Sequence, residues 1–313
     1  MTSRIRIAVL AGGWSGEREV SLKSGKAVYN ALNRDKYSVT LYDPRDDLKA
    51  LINDKEQIDL AFILLHGRFG EDGRIQGMLD VLHIPFVGSG VLASALALNK
   101  RVAKDIFKGA GLRVVEDMVL ARGEGFSVDH IISKLGTPVV IKPVSEGSSL
   151  GISIASGPDA IIEGIKKAFQ HDRETMVEAY VAGREITCSI LGNQDLEALP
   201  VVEIVPTEAY AFFDYEAKYT AGATNEICPA PIPSALAEQA QSNAKIAHTA
   251  LGCRVWSRSD MIIRDGSLYL LETNTIPGMT ETSLFPLAAR AAGMSLSDLL
   301  DRMVSLSLQE DVP

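Results

Sequence analysis

An apolar run that ends in a carboxylate and then an amide, Tyr269-Leu270-Leu271-Glu272-Thr273-Asn274, constrains this chain more than any other segment. Side chains alternate along a strand, so Glu272 and Asn274 emerge on one face. Just upstream, Trp256-Ser257-Arg258-Ser259-Asp260 leads into Met261-Ile262-Ile263, and Asp265-Gly266 separates the two runs, which reads as a hairpin. A two-residue Asp-Gly turn would pair Arg264 with Ser267 and set Asp260 on the opposite face from Glu272. A three-residue Arg264-Asp265-Gly266 loop, with Gly266 left-handed in a bulge, pairs Ile263 with Ser267 and Arg258 with Glu272. Arg258, Asp260, Glu272 and Asn274 then share one face, because a one-residue slip flips every side chain. The three-residue loop is the expected one. Oxygen donors of this kind suit a hard cation such as Mg2+, which keeps waters and bridges carboxylates to nucleotide phosphates. A strand end with two solvated polar residues is the competing reading of this segment alone.

With 313 residues the chain is long for one domain and points to two or three. Strand-like runs at 5–10, 39–42 and 60–65 alternate with helical stretches at 17–33 and 74–82, which predicts a parallel sheet with crossover helices. Ligands of such sheets bind beyond the carboxyl ends of the strands, where Gly12-Gly13 and His66-Gly67 lie. A second unit starts near Asn99 and carries strands at 138–142, 152–154 and 176–178 with a helix at 158–169, a small α+β layer. A third has antiparallel-looking strands at 185–191 and 196–205. It continues with a helix at 234–251 supported by Leu236, Ala240, Ala244, Ala247 and Leu251, the hairpin, and two closing helices. The boundaries expected are 1–98, 99–184 and 185–313.

Composition narrows the function. Net charge is −9 and no dense Lys/Arg run occurs, which argues against a nucleic-acid surface. Cys188, Cys228 and Cys253 are odd in number and lack CxxC spacing, which supports neither a disulfide framework nor a zinc site and fits a reducing cytosol. No signal-peptide core and no apolar span of membrane length is present, so a cytoplasmic location is expected.

Several segments carry chemistry weakly when taken singly. Gly147-Ser148-Ser149-Leu150-Gly151 offers backbone N–H groups to a phosphate, with Lys142 just before it, but a hairpin turn is the plainer reading. Neither it nor Gly12-Gly13-Trp14-Ser15-Gly16 has P-loop or dinucleotide spacing, which disfavours a dehydrogenase. Glu17 at a helix start, His66 after a strand and Lys100 at a helix start each have an ordinary structural reading. Phe212–Tyr219 packs four aromatics and three charges into a segment without a clean period, which predicts a lid over 212–223.

Taken in order, these segments resemble the D-alanine–D-alanine ligase family of the ATP-grasp superfamily, over nearly the whole chain. The resemblance rests on Gly16-Glu17-Arg18-Glu19-Val20-Ser21, Leu65-His66-Gly67-Arg68-Phe69-Gly70-Glu71-Asp72-Gly73, Glu146-Gly147-Ser148-Ser149, Asp214-Tyr215-Glu216-Ala217-Lys218-Tyr219 and Glu272–Thr280. It implies an ATP-grasp fold: an N-terminal parallel-sheet, Rossmann-like α/β domain, a small central α+β domain and a C-terminal α+β domain. It also implies joining of two D-alanines through an acyl phosphate for peptidoglycan precursors, with D-lactate, D-serine or another D-amino acid as alternative acceptors. By the same resemblance Lys100, Lys142 and Lys218 would contact ATP phosphates. Glu178, the backbone at Val181, and Glu185 would hold adenine and ribose. Asp260, Glu272 and Asn274 would hold two Mg2+ ions, or Mn2+ in their place. Arg258 and the Gly278 N–H would stabilise the oxyanion. Glu17 would bind the first D-alanine's ammonium near His66, Ser283 with the Leu284 N–H would bind the second carboxylate, and Ser148 with Tyr219 would link Glu17 to the lid. A homodimer, with neither nucleic-acid nor membrane partners, completes the expectation. Tyr219 favours an amine acceptor, since the family's D-alanine–D-lactate formers typically lack it. Trp14 and Phe213 depart from the family pattern; neither is a metal or phosphate ligand.

Overall fold

The fold is described here from a computed structural model of the protein, covering residues 4–147, 151–207 and 224–309. The first layer is a four-stranded parallel sheet of order β2-β1-β3-β4, formed by β1 (Ile5–Leu10), β2 (Tyr37–Tyr42), β3 (Leu60–Ile63) and β4 (Phe86–Val87). Ala8, Val9 and Leu10 of β1 and Leu60, Ala61 and Phe62 of β3 are wholly buried. Unbroken apolar runs of this kind belong to parallel strands covered on both faces. The covering helices are α1 (Arg18–Ala31), α2 (Pro44–Asn53) and α3 (Arg74–Val81), while α4 (Val91–Leu98) follows and packs through Ala97 into a second core. Helix α2 escapes the periodicity reading. Its start is nonetheless encoded: Asp43 caps it by accepting the Arg45 N–H, and Pro44 sits at its first turn.

Next come α5 (Lys100–Gly109), β5 (Asp117–Ala121), α6 (Val128–Leu135), β6 (Val139–Pro143), β7 (Ser153–Ala155), α7 (Pro158–Ala168) and β8 (Glu174–Ala179). The four strands form an antiparallel sheet of order β5-β8-β6-β7. Its own core includes Ile131, Val139, Ile141, Ile161, Ile165 and Val177.

The remaining sheet has six strands: β9 (Arg184–Leu191), β10 (Glu197–Ala198), β11 (Val202–Pro206), β12 (Thr224–Ile227), β13 (Trp256–Arg264) and β14 (Ser267–Asn274). Between β12 and β13 lies α8 (Ser234–Leu251), over the span its periodicity predicts; α9 (Leu284–Ala291) and α10 (Leu296–Leu308) close the chain. The stretch expected as one strand at 196–205 is two short ones.

Trp256, at the start of β13, is fully buried in the same core as the parallel sheet. It lies edge-on to Phe62 of β3, with ring centroids 6.5 Å apart, and to Phe285 of α9 at 5.3 Å. Such aromatic contacts favour defined geometry beyond area burial. They pin the hairpin's polar end beside the carboxyl ends of β1 and β3. Helix α5 packs through Ala103 and Phe107 into the core behind β9, β13 and β14. Among the described residues no helix is long and apolar enough to cross a membrane.

Candidate active site

The β13–β14 turn is the two-residue form, not the three-residue loop expected. Asp265 and Gly266 both take positive φ, 50° and 71°, and Arg264 pairs with Ser267. A tight turn with two left-handed residues matches the twist of its strands, and Asp-Gly is the sequence that tolerates it. By itself this turn would pair Arg258 with Thr273. The alternation argument alone would then turn Glu272 away from Asp260. The register instead shifts by one residue between Asp260 and Met261, with Leu271 as the extra residue on β14. This β-bulge sets Asp260 opposite Glu272 and Arg258 opposite Asn274, so the four groups share a face after all, by a different device.

Asp260 is the hub of that face and is 5% exposed. Arg258 grips it at two points, Nε to Oδ1 at 2.8 Å and Nη2 to Oδ2 at 2.7 Å. Thr187, its neighbour on β9, donates its hydroxyl to Oδ1 at 2.7 Å, and Asn274 donates Nδ2–H to Oδ2 at 3.2 Å. Lys100 begins α5, where Asn99 caps the helix, and its backbone N–H is fixed to the Val144 carbonyl. Its Nζ reaches Glu272 Oε2 at 3.4 Å and donates to the Glu146 carbonyl at 2.7 Å. This lysine is therefore not the solvated one that its sequence position suggests.

A second lysine, Lys142 at the end of β6, pairs with Glu178 on β8 at 2.6 Å, and both are buried. Burial pushes the Glu178 carboxyl up, but Lys142 and Lys104, the latter a buried lysine of α5, outweigh it and hold the carboxyl below the ordinary range. Val181 and Glu185 follow on the turn into β9 and on β9 itself.

The loops after β1 and β3 meet at Glu17, which is 4% exposed. Gly67 and Gly147 close on its carboxylate from two sides: a Cβ at either glycine would lie 2.6 Å from Glu17 Oε2. Ser15 accepts the Glu17 N–H, and Trp14 packs edge-on to Phe69 with centroids 5.5 Å apart, joining the two loops at their rim. His66 is buried, and burial pushes its imidazole down to about 4, with the Arg258 charge acting the same way and the Ile276 backbone opposing.

Glu71 belongs to the quoted loop motif but is absent from the expected site. It lies buried near Glu272, accepts the Gly67 N–H at 2.7 Å, and burial pushes its carboxyl up to about 7, aided by the Glu272 charge. The sequence signal was its place in a Gly-rich loop at a strand's carboxyl end. Lys104 was likewise missed; it is buried against Glu178 at 2.7 Å. The loop between β14 and α9 places Gly278 beside Ser283, whose hydroxyl accepts the Thr280 N–H at 3.0 Å. Ser283 precedes Leu284, the first residue of α9, so the Leu284 N–H lies at a helix N-terminus. Ser148, Lys218 and Tyr219, Phe213 and the expected lid at 212–223 lie outside the described residues.

The structure thus brings Lys100, Arg258, Asp260, Glu272 and Asn274 into one connected group. The family pattern described as "D-ala D-ala ligase C-terminus" matches residues 106–305, and "D-ala D-ala ligase N-terminus" matches 6–49 and 43–89. The D-alanine–D-alanine ligase of Syntrophobacter fumaroxidans is 52% identical over 309 residues, covering 99% of both chains. That of Desulfotalea psychrophila is 53% identical over 309 residues, covering 98% of this chain and 96% of the other. The crystal structure of the Bacillus anthracis D-alanine–D-alanine ligase complexed with ATP superposes with a TM-score of 0.85 at 34% identity, covering 97% of this chain and 98% of that one. On fold, site and full-length similarity together, the chain belongs to the D-alanine–D-alanine ligase family.

Proposed function

We propose that this protein joins two D-alanines into D-alanyl-D-alanine with ATP, in the cytoplasm, for peptidoglycan precursors. The observation that carries the reading is the face shared by Arg258, Asp260, Glu272 and Asn274, with Lys100 reaching Glu272 at 3.4 Å. In the reaction the first D-alanine's carboxylate takes the γ-phosphate, giving an acyl phosphate and ADP. The second D-alanine's amine then attacks the acyl carbon, and the tetrahedral intermediate expels phosphate. Phosphoryl transfer needs chiefly positioning and charge neutralisation. A site of lysines, arginine and carboxylates supplies both.

The donor set fits Mg2+. Asp260 and Glu272 are opposed carboxylates, and Asn274 spends its Nδ2 on Asp260, so its amide oxygen is what it has for a cation. Among the described residues no three His, Cys, Asp or Glu side chains stand together as a cage. A cation held by these residues would complete its oxygen shell with phosphate and water, as suits Mg2+. Two bound ions would neutralise the charge of the transferring phosphate.

Lys100 and Lys142, with Lys218, are assigned to the phosphates; Glu178, the Val181 backbone and Glu185 to adenine and ribose. Arg258 and the Gly278 N–H are assigned to the oxyanion. The two-point grip of Asp260 preorganises Arg258, which is what such a donor requires. Glu17 takes the first ammonium, and neutral His66 lies beside that substrate without adding charge. Ser283 and the Leu284 N–H take the second carboxylate at a helix N-terminus, where anions are favoured. Ser148 and Tyr219 would connect Glu17 to the lid.

The test is phosphate release from ATP and Mg2+ with D-alanine alone, L-alanine alone, and D-alanine paired with D-serine or D-lactate. Release with D-alanine alone and a product of dipeptide mass is expected. Release only with a pair would move the acceptor, and silence throughout would overturn the reading.

A further inference from the structure

Asp117 and Glu178 stand directly opposite one another across the antiparallel β5–β8 pair. Like charges in that relation repel. Here both carboxylates face inward, with side chains 13% and 4% exposed. Lys104 of α5 reaches between them, its Nζ 2.8 Å from Asp117 Oδ1 and 2.7 Å from Glu178 Oε1. The other Glu178 oxygen, Oε2, takes Lys142 at 2.6 Å. Lys108 supports Asp117 from the surface side at 3.3 Å. Carboxylates and ammoniums therefore alternate from Lys142 to Lys108, and Lys104 meets the nucleotide residues through Glu178.

We propose that Lys104 is a positioning residue for the nucleotide: it neutralises Glu178 from behind, so that Lys142 can share its donors with a phosphate. This rests on the reading of Lys142 as a phosphate contact. An ammonium has three N–H donors, and Glu178 needs only one of those of Lys142. Breaking a buried pair leaves an uncompensated charge, which is costly. With Lys104 in place, Glu178 keeps a counter-ion when Lys142 turns to phosphate. Without it, Lys142 is the remaining compensation for Glu178, and carboxylate and phosphate compete for one ammonium.

The full-length enzyme carrying Lys104→Met should show a KM for ATP raised roughly tenfold or more, by analogy with groups that orient metal ligands from behind. Its kcat at saturating ATP and its KM for D-alanine should stay within about twofold. Lys104→Arg should restore the ATP KM, since a guanidinium can bridge the same two carboxylates. In a Glu178→Gln background Lys104→Met should add little, because residues acting through one group are not additive. If Lys104→Met does not fold by circular dichroism, Lys104→Met with Asp117→Asn keeps the buried charges balanced and is read the same way. An unchanged ATP KM in the folded variant overturns the proposal, as does a full additional loss in the Glu178→Gln background. Lys142→Met separates the two assignments. If it leaves ATP affinity unchanged, the phosphate reading of Lys142 fails and the role of Lys104 with it. If it weakens ATP while Lys104→Met does not, only the role of Lys104 fails.

Discussion

Asp260 and Glu272 face each other directly across the β13–β14 hairpin because the register shifts by one residue at Leu271. Two opposed carboxylates repel. Asp260 is quieted by Arg258 and Asn274, whereas Glu272 meets Lys100 at 3.4 Å, longer than either Arg258 contact. A cation held between the two carboxylates would offset that repulsion.

Glu272→Gln should keep the fold and lose turnover by about 100-fold or more, the scale for removing one charged contributor to transition-state stabilisation. The amide keeps the size and one oxygen but not the charge. Circular dichroism should be unchanged, and the Mg2+ concentration for half-maximal rate should rise. Undiminished turnover at saturating Mg2+ would count against the metal assignment.

The outcome at this hairpin shows what the sequence could carry and what it could not. Apolar runs located both strands, and Asp265-Gly266 located the turn. Turn type and bulge, however, are two one-residue choices that cancel in their effect on which face Glu272 occupies. The shared face was legible while its cause was not, because local propensity scarcely distinguishes a residue added in the turn from one added at Leu271. Glu71 was missed for a related reason. Its importance comes from burial near Glu272, a contact between distant parts of the chain that no periodicity reports. Lys104 sits on a helix with a regular apolar face, and its two carboxylate partners lie on other elements.

Glu71 should leave a signature in the pH dependence of stability of the metal-free protein. Burial lifts its carboxyl from 4.5 to about 7, so between those values the folded state binds a proton that the unfolded state has released. Stability contributed by this group therefore falls as pH rises through the window. The difference in unfolding free energy between Glu71→Gln and the parent should shift in the variant's favour by about 3 kcal/mol from pH 4.5 to 7. Urea titrations at several pH values measure it; a difference independent of pH would refute it.

His66 runs the other way. Its folded value of about 4 lies below the ordinary 6.5, so the unfolded state binds the proton first. The stability it contributes is present above 6.5 and is lost as pH falls toward about 4. Its ring resonances should stay at the neutral position down to about pH 5, assigned by their loss in His66→Gln. A midpoint near 6.5 would mean that the ring is solvated and that the loop around it is more open than described.

Gly67 and Gly147 come from different layers yet confine the same atom, Glu17 Oε2, each at 2.6 Å from a would-be Cβ. Gly67 also sits at φ +65°, which an L side chain adopts only with strain, whereas Gly147 has no such backbone demand. The two substitutions therefore separate strain from displacement. Gly67→Ala should lower stability by about 1 kcal/mol or more and disturb Glu17. Gly147→Ala should disturb Glu17 with a smaller loss of stability. If Glu17 holds the first D-alanine's ammonium, both variants should raise the KM for that substrate, by roughly tenfold for a charged contact pushed out of line. Nucleotide binding should be less affected, so ATP affinity measured without D-alanine should remain near the parent value. Should Gly147→Ala weaken ATP and spare D-alanine, the glycine serves the phosphate side of its loop, and the assignment of Glu17 to the ammonium loses its support.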